Sequence, residues 1–362
     1  MPFQVVASDG AARVGRLTLA HGKVDTPCFM PVGTQGIVKT LVPADLHAIG
    51  AQIMLANTYH LSLRPGLATI KHAGGLHRFC RWSKPILTDS GGFQLYSLAS
   101  LCKVNDDGVV FRSHIDGRKV ALTPATVVQL QEEFGSDIHM VLDECPPYSH
   151  DKQIIAKSMR LSHRWAQIAR SCRSNQQLKQ FAVVQGGVFA DLRRESCDYL
   201  IDLDFEGYAI GGVSVGETRA EMRAATAVCC EKLPPTKPRY LMGVGTPLDL
   251  LESVALGVDM FDCVMPTRNG RNGTAFTSEG RLNIKNSGHR QSDLALDPNC
   301  VCYTCKTYSR AFLHHLYKAG EVSVMRLLSL HNLCFYLRLL HDCRQAIEAG
   351  KFQEFLHTHT SF

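Results

Sequence analysis

Thr123-Pro124-Ala125-Thr126-Val127-Val128-Gln129-Leu130-Gln131-Glu132-Glu133-Phe134 and, after a three-residue break, Ile138-His139-Met140-Val141-Leu142-Asp143-Glu144-Cys145 decide the fold. The first piece has Thr at an N-cap position and Pro at the first helical position, so it reads as a helix from Pro124 to Phe134. The second is a short apolar run with a polar end, the pattern of a buried strand. The same pattern continues outward. An amphipathic stretch from Lys152 to Cys172 with Arg and Lys on its outer face leads into Phe181–Val184, which ends on Gln185-Gly186-Gly187. Eight such runs occur: Cys28–Val32, Ile53–Ala56, Pro85–Thr88, Ile138–Leu142, Phe181–Val184, Tyr208–Ile210, Arg239–Met242 and Val258–Phe261. Strands alternating with helices call for a parallel sheet, and eight of them point to an α/β chain folded as a (β/α)8 TIM barrel. An open doubly wound sheet is the alternative, but no G-x-G-x-x-G follows the first run.

Departures from the alternation lie at both ends and in two insertions. The N-terminal segment Phe3–Thr26, with turns at Asp9-Gly10 and His21-Gly22, reads as a β-hairpin or small antiparallel lid. Val104–Leu122 and Thr274–Ile284 carry Asp-Gly and Glu-Gly turn signals and read as antiparallel hairpins. Beyond Asn286 come a cysteine cluster and helices through Ser309–Tyr317 and Val322–Leu340. The expected division is residues 1–285 as barrel with hairpins and 286–362 as a metal-binding subdomain packed on it.

Composition sets the class. An apolar content of 45% and a charged content of 20% are those of a soluble enzyme and exclude a disordered or fibrous chain. Met1-Pro2-Phe3-Gln4 lacks a signal sequence and there is no 18-residue apolar run, so a cytoplasmic protein without membrane contact is expected. From Arg268 onward twelve Lys and Arg face seven Asp and Glu, which places most of the net charge of +6 in the last quarter and hints at a polyanionic partner.

Fourteen cysteines are mostly scattered, but Cys300-Val-Cys302-Tyr-Thr-Cys305 is a tight group behind the turn Asp297-Pro298-Asn299. Three thiolates and one imidazole are a standard closed zinc set, so one structural zinc is expected. His331 is the candidate fourth ligand, with Cys334, His314 and His315 as competitors.

Chemistry in a barrel sits at the C-terminal ends of the strands. Here those ends read Thr88-Asp89-Ser90-Gly91-Gly92-Phe93-Gln94, Asp143-Glu144-Cys145, Gln185-Gly186-Gly187, Gly211-Gly212, Gly243-Val244-Gly245 and Asp262-Cys263. Asp89 and Asp262 are a carboxylate pair suited to nucleophilic attack and proton transfer at an acetal-like carbon. A carboxylate (Asp143) and a primary amide (Gln185) match the donor-rich edge and carbonyl of guanine, with Gly211-Gly212 offering backbone groups. Pro266-Thr267-Arg268-Asn269-Gly270-Arg271-Asn272-Gly273 puts two arginines in a turn-rich loop, fitted to phosphate or base edges. Taken singly, each of these positions could be an N-cap, a loop carboxylate or a surface salt bridge.

Together with Met30-Pro31-Val32-Gly33-Thr34, Asn57-Thr58-Tyr59-His60-Leu61, Arg64-Pro65-Gly66, Gly211 to Glu217, Asp259-Met260-Phe261-Asp262-Cys263 and His331-Asn332-Leu333, these motifs make nearly the whole chain resemble the queuine tRNA-ribosyltransferase (tRNA-guanine transglycosylase) family, bacterial type. The resemblance implies a (β/α)8 barrel with a zinc-bearing insertion held by Cys300, Cys302, Cys305 and His331. It implies that Asp262 attacks the ribose of the wobble guanosine, forming a covalent ribosyl-enzyme, and that Asp89 accepts the proton of the incoming 7-deazaguanine. Their carboxyl groups are then expected roughly 5 to 6 Å apart in the complex. Base binding falls to Ser90, Gly91, Gly92, Phe93, Asp143, Gln185, Gly212, Val213 and Met242. Contacts to the tRNA anticodon loop fall to Gly243, Val244, Gly245, Thr246, Asp249, Thr267, Arg268, Asn269, Gly270 and Arg271. The family reads U-G-U anticodons, in the tRNAs for aspartate, asparagine, histidine and tyrosine, and its bacterial members are homodimers.

Val213-Ser214 replaces the Leu-Ala common after the paired glycines, which enlarges the pocket toward queuine, while Val215 favours 7-aminomethyl-7-deazaguanine. A non-catalytic accessory subunit and a generic retaining glycosidase are the competing classes. The first would lack the carboxylates, and the second would have no use for the guanine-edge readers.

Overall fold

The structure, a computed structural model, describes residues 3–92, 102–113 and 115–359. Eight parallel strands form its centre: β1 (Cys28–Met30), β2 (Met54–Asn57), β3 (Ile86–Asp89), β4 (Ile138–Met140), β5 (Lys179–Val184), β6 (Gly207–Ile210), β7 (Arg239–Leu241) and β8 (Met260–Asp262). Each pairs with its sequence neighbour from β2 to β8, and β8 pairs with β1. A parallel bridge between Val32 and Leu55 closes the ring between β1 and β2. All eight strands coincide with the apolar runs, because a strand buried on both faces has no polar face to show. Phe29, Leu55, Leu87, Met140, Val183, Ile210 and Leu241 belong to one core cluster.

Local signals fix the helices. Thr123 accepts a hydrogen bond from the Thr126 amide and caps the helix Pro124–Phe134, and Asp151 does the same for Lys152–Cys172. Both expected N-terminal turns are used, so the segment is a three-stranded sheet (Phe3–Asp9, Ala12–Leu19, Gly22–Thr26) rather than a single hairpin. It covers the N-terminal end of the barrel, where Arg13 grips Asp259 at the foot of β8 through Nε at 2.9 Å and Nη2 at 2.5 Å. The 102–122 insertion likewise has three strands (Cys102–Asn105, Gly108–Arg112, Lys119–Leu122), and Thr274–Thr277 with Gly280–Asn283 is the expected hairpin.

The last long helix runs from Ser323 to Glu348, beyond the Leu340 expected from the sequence. Its second half packs Leu333, Tyr336, Leu340 and Ile347 into the barrel core. The first half packs Val324, Leu327 and Leu328 with Ala275, Ile284, Leu296 and Leu313, so one helix joins the barrel to the cysteine segment and the 274–283 hairpin. Among the described residues no helix is long and apolar enough to cross a membrane.

Candidate active site

The C-terminal ends of the strands enclose a cavity of ≈ 350 Å³. Asp89, Asp143, Gly212, Val213, Met242, Gly243, Asp262 and Arg268 line it directly. Asp262 ends β8, and its Oδ1 accepts hydrogen bonds from the Tyr240 hydroxyl at 2.6 Å and from the Gly243 amide at 2.9 Å. Both bonds fall on one oxygen. Asp89 ends β3 and accepts a bond from Asn57 Nδ2 at 2.8 Å. Gln185 Nε2 donates to Asp143 Oδ2 at 2.7 Å.

Among the described residues no ion pair neutralises these three carboxylates, and burial therefore dominates their titration. Burial, then the charges of Asp143 and Asp262, raise Asp89 to about 7. Burial raises Asp143 to about 6, against the bond from Gln185. Burial raises Asp262 too, opposed by Tyr240 and Gly243. The Tyr240 phenol, enclosed beside Asp262, is pushed well above its ordinary value and stays a donor.

The remaining expected base-binding residues stand one layer behind. Ser90 is buried, and its hydroxyl accepts from the Gly92 amide at 3.2 Å. A Cβ on Gly92 would overlap Asp143 Oδ1, and one on Gly91 would lie 2.7 Å from Tyr59 Cβ, so this turn closes only with glycine. Gln185 is buried, with its backbone amide on Ser196 Oγ at 3.2 Å. Phe93 lies outside the described residues.

Of the expected RNA contacts, Arg268 reaches the cavity, while Thr246, Asp249 and Asn269 line a second depression of ≈ 370 Å³ together with Arg219 and Arg281. The arginine-bearing segment is a short helix, Met265–Arg271, and not the loop its glycines suggested. Pro266 occupies the first helical turn, where its missing N–H costs nothing. Gly270 faces the long helix, where a Cβ would sit 2.7 Å from Ser329 N. Thr267, Val244 and Gly245 also face inward: Thr267 and Val244 are buried, and the Gly245 carbonyl accepts from Tyr336. Arg271 Nη1 is buried without a hydrogen-bond partner among the described residues.

Four residues at the site escaped the sequence reading of function: Asn57, Tyr240, Cys145 and Arg193. Tyr240 was absorbed into an apolar run. Arg193 did leave a trace, as a charge on the apolar stripe Leu192, Ser196, Cys197, Leu200 of the helix Ala190–Asp202.

At the other end of the chain, single donor atoms of Cys300, Cys302, Cys305 and His331 all lie within 4.8 Å of one another, close enough to hold a metal ion. His331 is fully buried on the long helix, and its Nε2 donates to the Phe276 carbonyl at 2.8 Å. That bond turns Nδ1 toward the Cys302 and Cys305 sulfurs, at 3.7 and 3.2 Å. Thr304 donates to the Leu327 carbonyl at 2.7 Å and fixes the short helix Tyr303–Thr307. His314 is engaged by the Ile284 carbonyl, and Cys334 is not one of the four converging donors.

His21, His77 and Asp137 also come together, at the N-terminal pole. Their imidazoles are stacked at 3.5 Å with planes 15° apart, so their in-plane lone pairs run side by side and do not converge on one point. Asp137 accepts from the amides of His21 and Ile86 as well. This cluster is a latch between the N-terminal sheet and β4.

Comparison with known proteins accords with this geometry. The sequence model of the family described as queuine tRNA-ribosyltransferase matches residues 8–361. A queuine tRNA-ribosyltransferase of Nitratidesulfovibrio vulgaris is 54% identical over 355 residues, covering 98% of this chain and 95% of that protein. Those of Lawsonia intracellularis (54% over 352 residues, 97% and 95% coverage) and Acinetobacter baylyi (51% over 360 residues, 98% and 93%) are similar to it along the same span. With its parallel barrel, its Cys3His cluster and a match over nearly its full length, the chain belongs to the queuine tRNA-ribosyltransferase family of pentosyltransferases.

Proposed function

We propose that this enzyme exchanges the wobble guanine of tRNAs with U-G-U anticodons for a 7-deazaguanine, in queuosine modification, through a ribosyl-Asp262 intermediate. The observation that carries the reading is the presence of two half-buried carboxylates, Asp89 and Asp262, in one cavity with a guanine-edge reader, Asp143. Asp262 has one oxygen committed to Tyr240 and Gly243, which leaves the other to attack the anomeric carbon. The carbon–oxygen bond forms as the bond to guanine N9 breaks, and guanine departs with the electron pair and takes up a proton. The incoming base gives its N9 proton to Asp89 and displaces Asp262. Two inversions retain configuration. A carboxyl that titrates near 7 both accepts and releases a proton at neutral pH.

Asp143 takes the N1–H and amino edge of the base, oriented by Gln185, and Met242 covers one face. Phe93 is assigned the opposite face on the family resemblance alone. Among the suggested RNA contacts, Arg268, Thr246, Asp249, Asn269 and Arg271 are kept, whereas Thr267, Gly270, Val244 and Gly245 support them from within. Flipping the wobble base out of its loop brings it to the cavity. The incoming base is 7-aminomethyl-7-deazaguanine, with queuine as the second candidate.

Zinc suits the Cys300, Cys302, Cys305 and His331 donor set, and its role is structural: it would bind the segment after residue 285 to the long helix. Chelation should melt that subdomain first and release one zinc per chain, which metal analysis reads directly. The protein is assigned to the cytoplasm and to a homodimer. Exposed Leu294, Val301, Tyr303, Phe312 and Val322, all in the C-terminal segment, support association there.

The test is release of radiolabelled guanine from a tRNA with a U-G-U anticodon, with each 7-deazaguanine as acceptor. Release by the wild type and not by Asp262→Asn supports exchange, and the better acceptor identifies the substrate. No release with either base would leave an accessory RNA-binding role, and release without an acceptor would favour hydrolysis.

A further inference from the structure

Arg193 is fully buried on the helix Ala190–Asp202, and among the described residues no ion pair links it to a carboxylate. Its guanidinium is held by backbone carbonyls: Nε donates to Gly187 O at 2.8 Å, Nη1 to Val184 O at 2.9 Å and Gly211 O at 2.8 Å, and Nη2 to Gly212 O at 3.2 Å. The thiol of Cys229 lies beside it. A buried cation is costly unless its surroundings solvate it, and here the solvating dipoles belong to the last residue of β5 and to the turns that follow β5 and β6.

Those turns meet the base pocket. In a trans peptide the C=O and the following N–H point in opposite directions. Neither Gly211-Gly212 nor Gly212-Val213 is cis. With the carbonyls of Gly211 and Gly212 drawn toward Arg193, the amides of Gly212 and Val213 are turned away from it, and both residues line the cavity. Neither amide donates to a backbone carbonyl among the described residues; the Gly212 amide faces the Cys145 thiol in the cavity wall, a weaker acceptor than a purine carbonyl. Gly212 adopts φ +61°, and a Cβ there would overlap Gln185 Oε1, so the turn is shaped for this arrangement.

We propose that Arg193 is a positioning residue that aims the Gly212 and Val213 amides at the carbonyl oxygen of the bound purine and, through these two aligned peptide dipoles, stabilises the negative charge that the base carries as it leaves or enters. This rests on the base-exchange reading of the site. A cation solvated by carbonyls sends its field through the peptides to their N–H ends, a preorganised donor pair of the kind that binds developing oxyanions. Arg193 itself does not touch the base.

The experiment compares wild type, Arg193→Lys and Arg193→Gly in guanine exchange, with KM measured separately for the free base and for tRNA. Lysine keeps the charge but not the four-way fork. The expected result for Arg193→Lys is a KM for the base raised about tenfold with kcat lowered, while KM for tRNA stays within about twofold. Added guanidinium ion, and not ammonium, should restore exchange to Arg193→Gly at concentrations that leave its melting temperature unchanged. Equal losses toward base and tRNA, or no rescue from a folded Arg193→Gly, would overturn the assignment. Failure of the wild type to exchange guanine would instead bring down the base-exchange reading, and this inference with it.

Discussion

Strands β4 and β8 each have an aspartate just before their first residue and another at or shortly after their last, and the partners these meet differ between the two poles. At the N-terminal pole Asp259 meets the Arg13 fork and the Arg239 amide at 2.7 Å, and Asp137 accepts from two backbone amides and the His21 ring. At the C-terminal mouth Asp262 and Asp143 receive only neutral donors, and each is pushed above the usual carboxylate range by burial. Burial would raise Asp137 as well, but the bonds from His77, the Ile86 amide and His21 outweigh it and hold it at about 2. The same residue type on the same strands thus pins the fold at one pole and stays under-neutralised at the other. Burial raises Asp259 too, against the Arg13 charge and the Arg239 amide, so what separates a structural carboxylate from a reactive one is a neutralising or saturating set of partners and not the direction of its shift.

Substitution at the two ends of β8 breaks this comparison most severely. Asp262→Asn should lower guanine exchange by roughly a thousandfold or more with the melting temperature held or raised, as expected for a lost nucleophile. Asp259→Asn strands the Arg13 charge and should cost about 3–5 kcal/mol of stability, with near-normal activity in the molecules that remain folded. Denaturant melts and single-turnover exchange measure both.

Titration sharpens the contrast. The folded protein holds the Asp89 proton more tightly than the unfolded chain does. That stabilisation is full below the ordinary value of 3.8 and is lost as pH rises through about 7. For Asp137 the sign reverses: its contribution is present above 3.8 and is lost as pH falls through about 2. Asp89→Asn should therefore raise the melting temperature by a few degrees at pH 8 and leave it nearly unchanged at pH 4, whereas Asp137→Asn should lower it at both. Exchange itself should rise with pH through about 7 as Asp89 becomes able to accept a proton.

A smaller effect is expected from Tyr240→Phe, which removes one donor from Asp262 Oδ1 and should slow exchange about tenfold while shifting its acid limb upward. Smallest of all, His21→Ala should cost about 1 kcal/mol at the N-terminal pole and leave exchange kinetics alone. A fall in activity there would show that the two poles are coupled.

These partnerships also mark how far the sequence can be read. The eight strands were legible because each is a short apolar run stopped by a polar or glycyl residue, and Asp89, Asp143 and Asp262 were legible as those stops. Position along a strand does not say what a side chain meets across the barrel. Arg13 and Asp259 are 246 residues apart, and Tyr240 reaches Asp262 from a neighbouring strand inside a run that reads as plain core. Arg193 differed in leaving a local sign, a cation on an apolar helix face, whose meaning appears only once the carbonyls around it are known. The Pro266–Gly273 segment read as a turn-rich loop from its glycines, whereas the structure makes Met265–Arg271 a short helix with Pro266 in its first turn.

The most direct measurement is a trap for the intermediate. A U-G-U anticodon stem-loop is incubated with the enzyme without an incoming base, and the products are denatured and analysed by gel and by mass spectrometry of the peptide containing Asp262. The expected product is an RNA adduct on Asp262 that a 7-deazaguanine discharges and that Asp262→Asn does not form. An adduct mapped to Asp89, or one that survives the Asp262→Asn change, would contradict the ribosyl-Asp262 intermediate.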